Sequence, residues 1–297
     1  MTDKTRTLIV LHTAVFLAGW TGLFGRWITL SGLPLVWYRV MVSVVTLALF
    51  MLLGRKFHPV GFRALLGIGA CGVLLAAHWV AFYASIKASN VSVGVACIAT
   101  SCFFTTLFDP LINRRRVSVR DVLISFIAIA GILLIFSLDL RYRAGIALGL
   151  LSAALYSVFA LLNINVADAT REDSATMLFY ELIAGVLFLT VCMPVYAGIN
   201  PGAPVVPTRG DLIGLLFLGS VFSVIPFLFQ IHALRKLSAF TVNVAYNLEP
   251  VYSIFFAALI FGETKEVGFS FWLGLLLIVI SVALQTWLTV HTDKRTG

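Results

Sequence analysis

Asn243, Tyr246, Asn247, Pro250 and Ser253 recur at three- and four-residue steps within one apolar stretch. That spacing puts them on a single face of a helix. Glu249 lies ten residues after Ala239, where the stretch begins, and at 1.5 Å per residue this is ~15 Å, half of a ~30 Å hydrocarbon core. A carboxyl at that depth is a candidate for proton coupling. Pro250 beside it removes a backbone donor and is a candidate hinge. Further polar groups interrupt other apolar stretches: Trp20; His78 and Tyr83; Cys97, Thr100 and Ser101; Ser152, Tyr156 and Asn163; Ser220, Ser223 and Gln230. Rings of this kind stack on another ring or hold a cation over a face, while hydroxyls, amides and imidazole bond a polar head group. Each serine or threonine can equally bond its own helix backbone. We take Trp20, His78, Tyr83, Ser101, Tyr156, Asn163, Tyr246 and Asn247 as the expected substrate-binding set. Arg39 and Glu181 sit ~8 and ~9 Å inside their own stretches, near opposite faces. That separates them by roughly 13 Å in depth across a ~30 Å core, so no direct ion pair is expected. Arg39 can snorkel outward or hold a carboxylate, and both residues enter as carboxylate-binding or gating candidates.

The elements that must position these groups are membrane helices. The chain has 297 residues, 60% of them hydrophobic and 11% charged, with a mean hydropathy of +1.02. A soluble domain carries about 25% charged residues. A soluble enzyme, a nucleic-acid binder and a disordered scaffold are thereby excluded. Ten apolar runs are expected to span, near Leu8–Gly25, Pro34–Leu53, Leu65–Ile86, Val91–Ile112, Val122–Leu138, Ala144–Val166, Ala175–Tyr196, Leu212–Ala233, Ala239–Phe261 and Gly268–Val290. None shows the short alternation of a barrel strand. The first run follows Lys4 and Arg6 but is too long for a signal-peptide core, and is expected to remain as a span.

With both termini on one face, fourteen Lys and Arg fall there, the run Arg114–Arg116 among them. Six fall opposite: Arg26, Lys87, Arg141, Arg143, Arg209 and Lys265. The positive-inside rule then puts both termini in the cytoplasm. The net charge of +8 reports this topology and attraction to anionic lipid, not nucleic acid. Cys71, Cys97, Cys102 and Cys192 fall within spans without a CxxC pair and are read as packing residues. The sequence contains no metal-ligand spacing, phosphate loop or nucleophile motif. The expectation is therefore no cofactor, no metal, no direct use of ATP and no enzymatic reaction.

A duplication is legible. At an offset of 149, Ala84 falls on Ala233, Lys87 on Lys236, Ser89 on Ser238, Val93 on Val242, Val95 on Val244 and Ala96 on Ala245. Tyr38-Arg39 matches Tyr180-Glu181, and Trp20 matches Tyr156, in the same order. Two units, 1–140 and 141–297, each of five spans, are expected. A unit with an odd number of spans ends on the side opposite its start, so its copy inserts upside down. The fold expected is an all-α integral membrane protein, ten helices in two inverted repeats around a central cavity. Such repeats can open alternately to either side of a midplane site, as in secondary transporters.

Asn247-Leu248-Glu249-Pro250, followed by Gly262-Glu263, together with Pro34 and Arg39 at the head of the second span, resembles the EamA branch of the drug/metabolite transporter superfamily. Within it the chain most resembles exporters of aromatic amino acids of the YddG type. The resemblance implies a small-molecule amino-acid substrate, exported by alternating access. It also implies that Trp20, His78, Tyr83, Tyr156 and Tyr246 supply the aromatic and imidazole lining. The first half departs from the pattern, with Ser101 in the place of Pro250 and Arg114 in the place of Glu263. A like bend in both halves therefore does not follow from the sequence. The rival within transport is an exporter of other metabolites or organic cations. The rival from another class is a membrane-embedded enzyme or a helical scaffold, and polar groups spread over at least six spans argue against an enzyme. The bilayer is the one partner expected, around a monomer.

Overall fold

The computed structural model describes residues 3–54, 57–114, 123–124, 126–127, 129–131, 133–134, 140–234, 236–237, 242, 245–246, 248–265 and 268–296. Their regular structure is all helical, and no strand occurs among them. The helices are α1 (Asp3–Ala18), α2 (Thr21–Trp27), α3 (Gly32–Leu53), α4 (Phe62–Ala88), α5 (Val91–Ile98), α6 (Ser101–Asn113), α7 (Arg143–Thr170), α8 (Ser174–Ile199), α9 (Arg209–Gly219), α10 (Ile225–Leu234), α11 (Glu249–Phe261) and α12 (Phe269–Thr296). Among the described residues seven helical segments are long and apolar enough to cross a bilayer: Thr5–Trp27, Gly32–Leu53, Phe62–Ala88, Val91–Asn113, Arg143–Thr170, Ser174–Ile199 and Arg209–Ala233. Each overlaps an expected span. The shorter apolar helices Glu249–Phe261 and Phe269–Ser281 fall on the ninth and tenth. Much of the fifth expected span, and residues 239–241, 243–244 and 247 of the ninth, lie outside the described residues.

The starts of these helices follow from their capping residues. Asp173 accepts from the amides of Ala175 and Thr176 at 3.0 and 3.2 Å to open α8. Thr208 and Asp211 form a reciprocal capping box on α9. Asn90 accepts from Val93 N at 2.9 Å to open α5. Outward-facing residues are apolar: Leu49, Leu66, Leu187, Val191, Leu216, Phe255 and Leu259 are all more than half exposed. A soluble monomer does not carry so large an apolar surface; a bilayer covers it.

Small residues let the helices touch. The Gly145-x-x-x-Gly149 spacing brings α7 against α4 and α5, since a Cβ on Gly145 would lie 2.5 Å from Ser89 and one on Gly149 2.6 Å from Cys97. Gly72 of α4 abuts the backbone of Glu181 in α8, at 2.1 Å from a would-be Cβ. The main core lies between α2, α3, α4, α8 and α9, with Leu35, Leu47, Tyr83, Leu189 and Leu215 fully buried.

The helices are interrupted, and at two of the breaks a carbonyl takes a side-chain hydroxyl. Between α1 and α2 the carbonyl of Gly19 accepts from Ser253 Oγ at 2.6 Å. Between α5 and α6 the carbonyl of Cys97 accepts from Thr100 Oγ1 at 2.6 Å. A π-helical turn over Ser220–Val224 separates α9 from α10. The break before α6 has a counterpart at α11. Both helices have 13 residues, and both end on a left-handed residue, Arg114 at φ 51° and Gly262 at φ 66°. α6 and α11 thus share their length and their left-handed ends, but the first carries its proline, Pro110, inside the helix. In the second, Pro250 occupies the first turn of α11 rather than a helix interior. There its missing amide costs no helical hydrogen bond.

Candidate substrate cavity

Arg39, the buried cation of α3, faces inward. It is 5% exposed, so the outward snorkelling open to it on sequence grounds does not occur. Its Nε donates to Ser223 Oγ at 3.1 Å and its Nη1 to Tyr83 Oη at 3.0 Å. Its guanidinium lies 4.3 Å from the ring centre of Trp79. Among the described residues it forms no ion pair. A buried charge without a counter-ion costs several kcal/mol, which makes its surroundings the first place to look for a ligand.

Those surroundings are a cavity of about 240 Å³. Arg39 and Ser43 line it from α3, and His78, Trp79 and Phe82 from α4. Phe222, Ser223 and Val224 enter from the π turn, Phe227 and Gln230 from α10, Leu178 and Leu182 from α8. Tyr246 and Glu249 close it from the ninth span, Thr21 and Ile98 from the first and fourth. The π turn explains how three consecutive residues reach one cavity, and such turns often mark functional sites.

His78 Nδ1 lies 2.9 Å from the carbonyl of Ser152. A carbonyl only accepts, so Nδ1 carries the proton and Nε2 is left as an acceptor. Ser152 Oγ donates back to the His78 carbonyl at 2.9 Å, which fixes this pair of helices in register. Glu249, partly buried at the start of α11, makes no hydrogen bond or ion pair with the described residues. The cavity thus holds a cation and a carboxyl group, separately placed, between faces of Trp79, Phe82, Phe222 and Phe227.

Of the side chains singled out from sequence, His78, Ser223, Gln230, Tyr246, Arg39 and Glu249 line this cavity. Trp20, Tyr83, Ser101, Tyr156 and Asn163 do not, nor do Glu181 and Pro250. Trp20 packs behind the wall, its ring 6.1 Å from Phe222 and 4.6 Å from Phe256. Tyr83 is fully buried and reaches Arg39 instead of the open space. Tyr156 places its ring 5.1 Å from His78. The Ser101 carbonyl receives the Ser157 hydroxyl at 2.7 Å, a bond between α6 and α7. Asn163 donates to Glu181 Oε1, joining α7 to α8. Glu181 is therefore bonded to Asn163, and no ion pair joins it to Arg39 among the described residues. Asn247 and Asn243 lie outside the described residues.

Sequence reasoning missed Trp79, Phe82, Ser43 and the aromatic residues of the eighth span. The signal for Ser43 and Phe82 was helical spacing, since each lies four residues after a singled-out residue, Arg39 and His78. A search for polar interruptions passed over the phenylalanines, because apolar rings carry no cost in lipid.

The fold and site define a multi-pass helical membrane protein with a polar, ring-walled cavity. The family model described as "EamA-like transporter family" matches residues 5–137 and again 143–287. The chain belongs to the EamA-like transporter family, and it is a transporter rather than an enzyme. It is 20% identical over 234 residues to an uncharacterized transporter of Clostridium kluyveri, covering 75% of this chain and 71% of that one. It is 27% identical over 245 residues to an uncharacterized transporter of Schizosaccharomyces pombe, covering 75% and 69%. A crystal structure of a protein superposes with a TM-score of 0.62 at 16% identity, over 95% of this chain and 98% of that one; this likeness concerns the fold.

Proposed function

We propose that this transporter is a secondary exporter of amino acids, aromatic ones (Phe, Trp, Tyr) foremost, working by alternating access from the cytoplasm of a bacterial inner membrane. One observation carries the reading: Arg39, which forms no ion pair among the described residues, and Glu249 share one cavity with five aromatic side chains. A zwitterionic head group matches that pair of charges, its carboxylate to Arg39 and its ammonium to Glu249. Guanidinium binds carboxylate in a two-pronged geometry, and the rings of Trp79, Phe82, Phe222 and Phe227 accept an aromatic side chain by stacking. The volume of about 240 Å³ lies below the ~300 Å³ lower end of drug-sized pockets, which favours a small metabolite.

Two features support ten spans in two inverted repeats, 1–140 and 141–297. The family model matches each half separately. The paired 13-residue helices α6 and α11 also end alike. Lys and Arg, fourteen against six, support cytoplasmic termini. The YddG-type aromatic exporters remain the nearest functional likeness on the residues.

Proteoliposomes containing only this protein test the reading. Labelled Phe, Trp or Tyr preloaded on one side should exchange through the protein, and absence of flux for all three from a well-folded sample refutes the substrate claim. A competition panel separates the rival: inhibition by quaternary amines, nucleosides or sugar phosphates in preference to amino acids assigns the cavity to another cargo.

A further inference from the structure

The geometry points to Tyr83 and Ser223 as positioning residues that set the aim of Arg39, and through it the preference for a substrate bearing a carboxylate. This rests on the reading of Arg39 as the carboxylate anchor.

An arginine has five N–H donors in a rigid fork. The protein takes two of them, Nε by Ser223 and one Nη1 hydrogen by Tyr83. No buried side-chain polar atom among the described residues lacks a partner. No further bond of Arg39 exists there either, so its remaining donors open on the cavity. The Trp79 ring covers one face of the guanidinium at 4.3 Å. Two hydrogen bonds and one stacked face fix the plane of the fork, and a fixed plane is what two-pronged recognition needs.

Both positioning groups are themselves held. Tyr83 is fully buried; its hydroxyl donates to the Thr21 carbonyl at the start of α2 at 3.3 Å, and its ring would meet a Cβ on Gly25 of α2 at 2.7 Å. Ser223 belongs to the π turn, and its hydroxyl donates to the carbonyl of Leu218, five residues back, at 2.6 Å. With that proton committed, the Ser223 oxygen is left to accept from Arg39. The π turn is pinned in turn against α3: Ser43 Oγ donates to the Gly219 carbonyl at 2.9 Å. Gly219 also lies so close that a Cβ would stand 2.8 Å from the Arg39 carbonyl. Arg39 is thus oriented from the second-half span opposite it. A shift of the π turn would re-aim the anchor.

The test compares phenylalanine with 2-phenylethylamine, which keeps the ring and ammonium and lacks the carboxylate. In proteoliposomes, the KM for phenylalanine uptake and the Ki of 2-phenylethylamine against it are measured for the parent, Tyr83→Phe, Ser223→Ala and Ser223→Thr. We expect Tyr83→Phe and Ser223→Ala each to raise KM about tenfold, the worth of one charge-assisted hydrogen bond, with Vmax changed far less. The amine Ki should move less than about twofold, since it lacks the group Arg39 addresses. Ser223→Thr, which keeps the hydroxyl, should restore most of the affinity. A KM and Ki that rise together, or a Ser223→Thr variant as poor as Ser223→Ala, would mean a packing role and overturn the assignment. Arg39→Gln separates the two layers. If it raises KM strongly while the Tyr83 and Ser223 variants match the parent, the positioning inference alone fails. If Arg39→Gln itself leaves KM unchanged, the carboxylate-anchor reading fails with it.

Discussion

Arg26 and Glu263, 237 positions apart, meet at 2.7 Å in an ion pair. Glu263 is fully buried and also accepts from Val91 N at 3.0 Å, Ser92 N at 2.8 Å and Ser92 Oγ at 2.6 Å. One carboxylate near the end of the second half therefore caps α5 of the first, where the helix dipole favours negative charge. Glu263→Ala strips four donors of their acceptor and should destabilise the protein by about 3–5 kcal/mol. The Arg26 side chain is 36% exposed, so Arg26→Gln should cost only about 1 kcal/mol. Thermal denaturation of the purified variants measures both. Equal losses would contradict the capping account.

Gly72 is the tightest helix contact, with a would-be Cβ 2.1 Å from the Glu181 carbonyl oxygen. Backbone cannot yield as a side-chain tip can. Gly72→Ala is expected to cost about 3 kcal/mol or more and to lower the yield of folded protein sharply. Gly61, with nothing within 4 Å, is the control: Gly61→Ala should elute from size exclusion like the parent.

Asp173 lies between α7 and α8, outside both spans. Burial alone would raise its carboxyl. The Thr176 hydroxyl, the amides of Thr176 and Ala175, and nearby His58 outweigh this and hold it below its usual value. A depressed carboxyl stabilises the fold fully above its unfolded pKa of ~3.9 and loses that contribution as the pH falls through the folded value. Asp173→Ala should therefore cost about 1 kcal/mol at pH 7. The deficit should shrink below about pH 4. Denaturation midpoints of parent and variant at both pH values decide it; a deficit that does not vary with pH would refute it.

Seven spans among the described residues were legible because lipid imposes a simple composition and length, and Arg39, His78, Tyr246 and Glu249 because a polar group in a hydrocarbon setting is costly. The aim of each side chain was not. Tyr83 and Phe82 are adjacent, yet only Phe82 lines the cavity; one residue is a turn of about 100° on a helix. The break before α6 gave no proline signal, since Thr100 and the left-handed Arg114 supply the termini there. Glu263 was visible as a motif residue, but its bonds to α5 span 171 and 172 positions and no local pattern predicts them.

Glu249 carries the proton-coupling proposal. It lines the cavity without a hydrogen-bonding partner among the described residues. Phenylalanine flux driven by a pH step across the liposome should be strong in the parent and absent in Glu249→Gln, while exchange without a gradient continues in the variant at a raised KM, since the ammonium partner is also lost. Identical responses to the pH step would assign Glu249 to ammonium binding or structure alone.

The most direct test of the account is equilibrium binding of phenylalanine to the purified protein and to Arg39→Gln, measured by calorimetry. Loss of a charged two-pronged contact is worth about 1.5–3 kcal/mol, so the affinity should fall roughly 10- to 100-fold. Unchanged affinity in Arg39→Gln, or no binding of any aromatic amino acid by the folded parent, would contradict it.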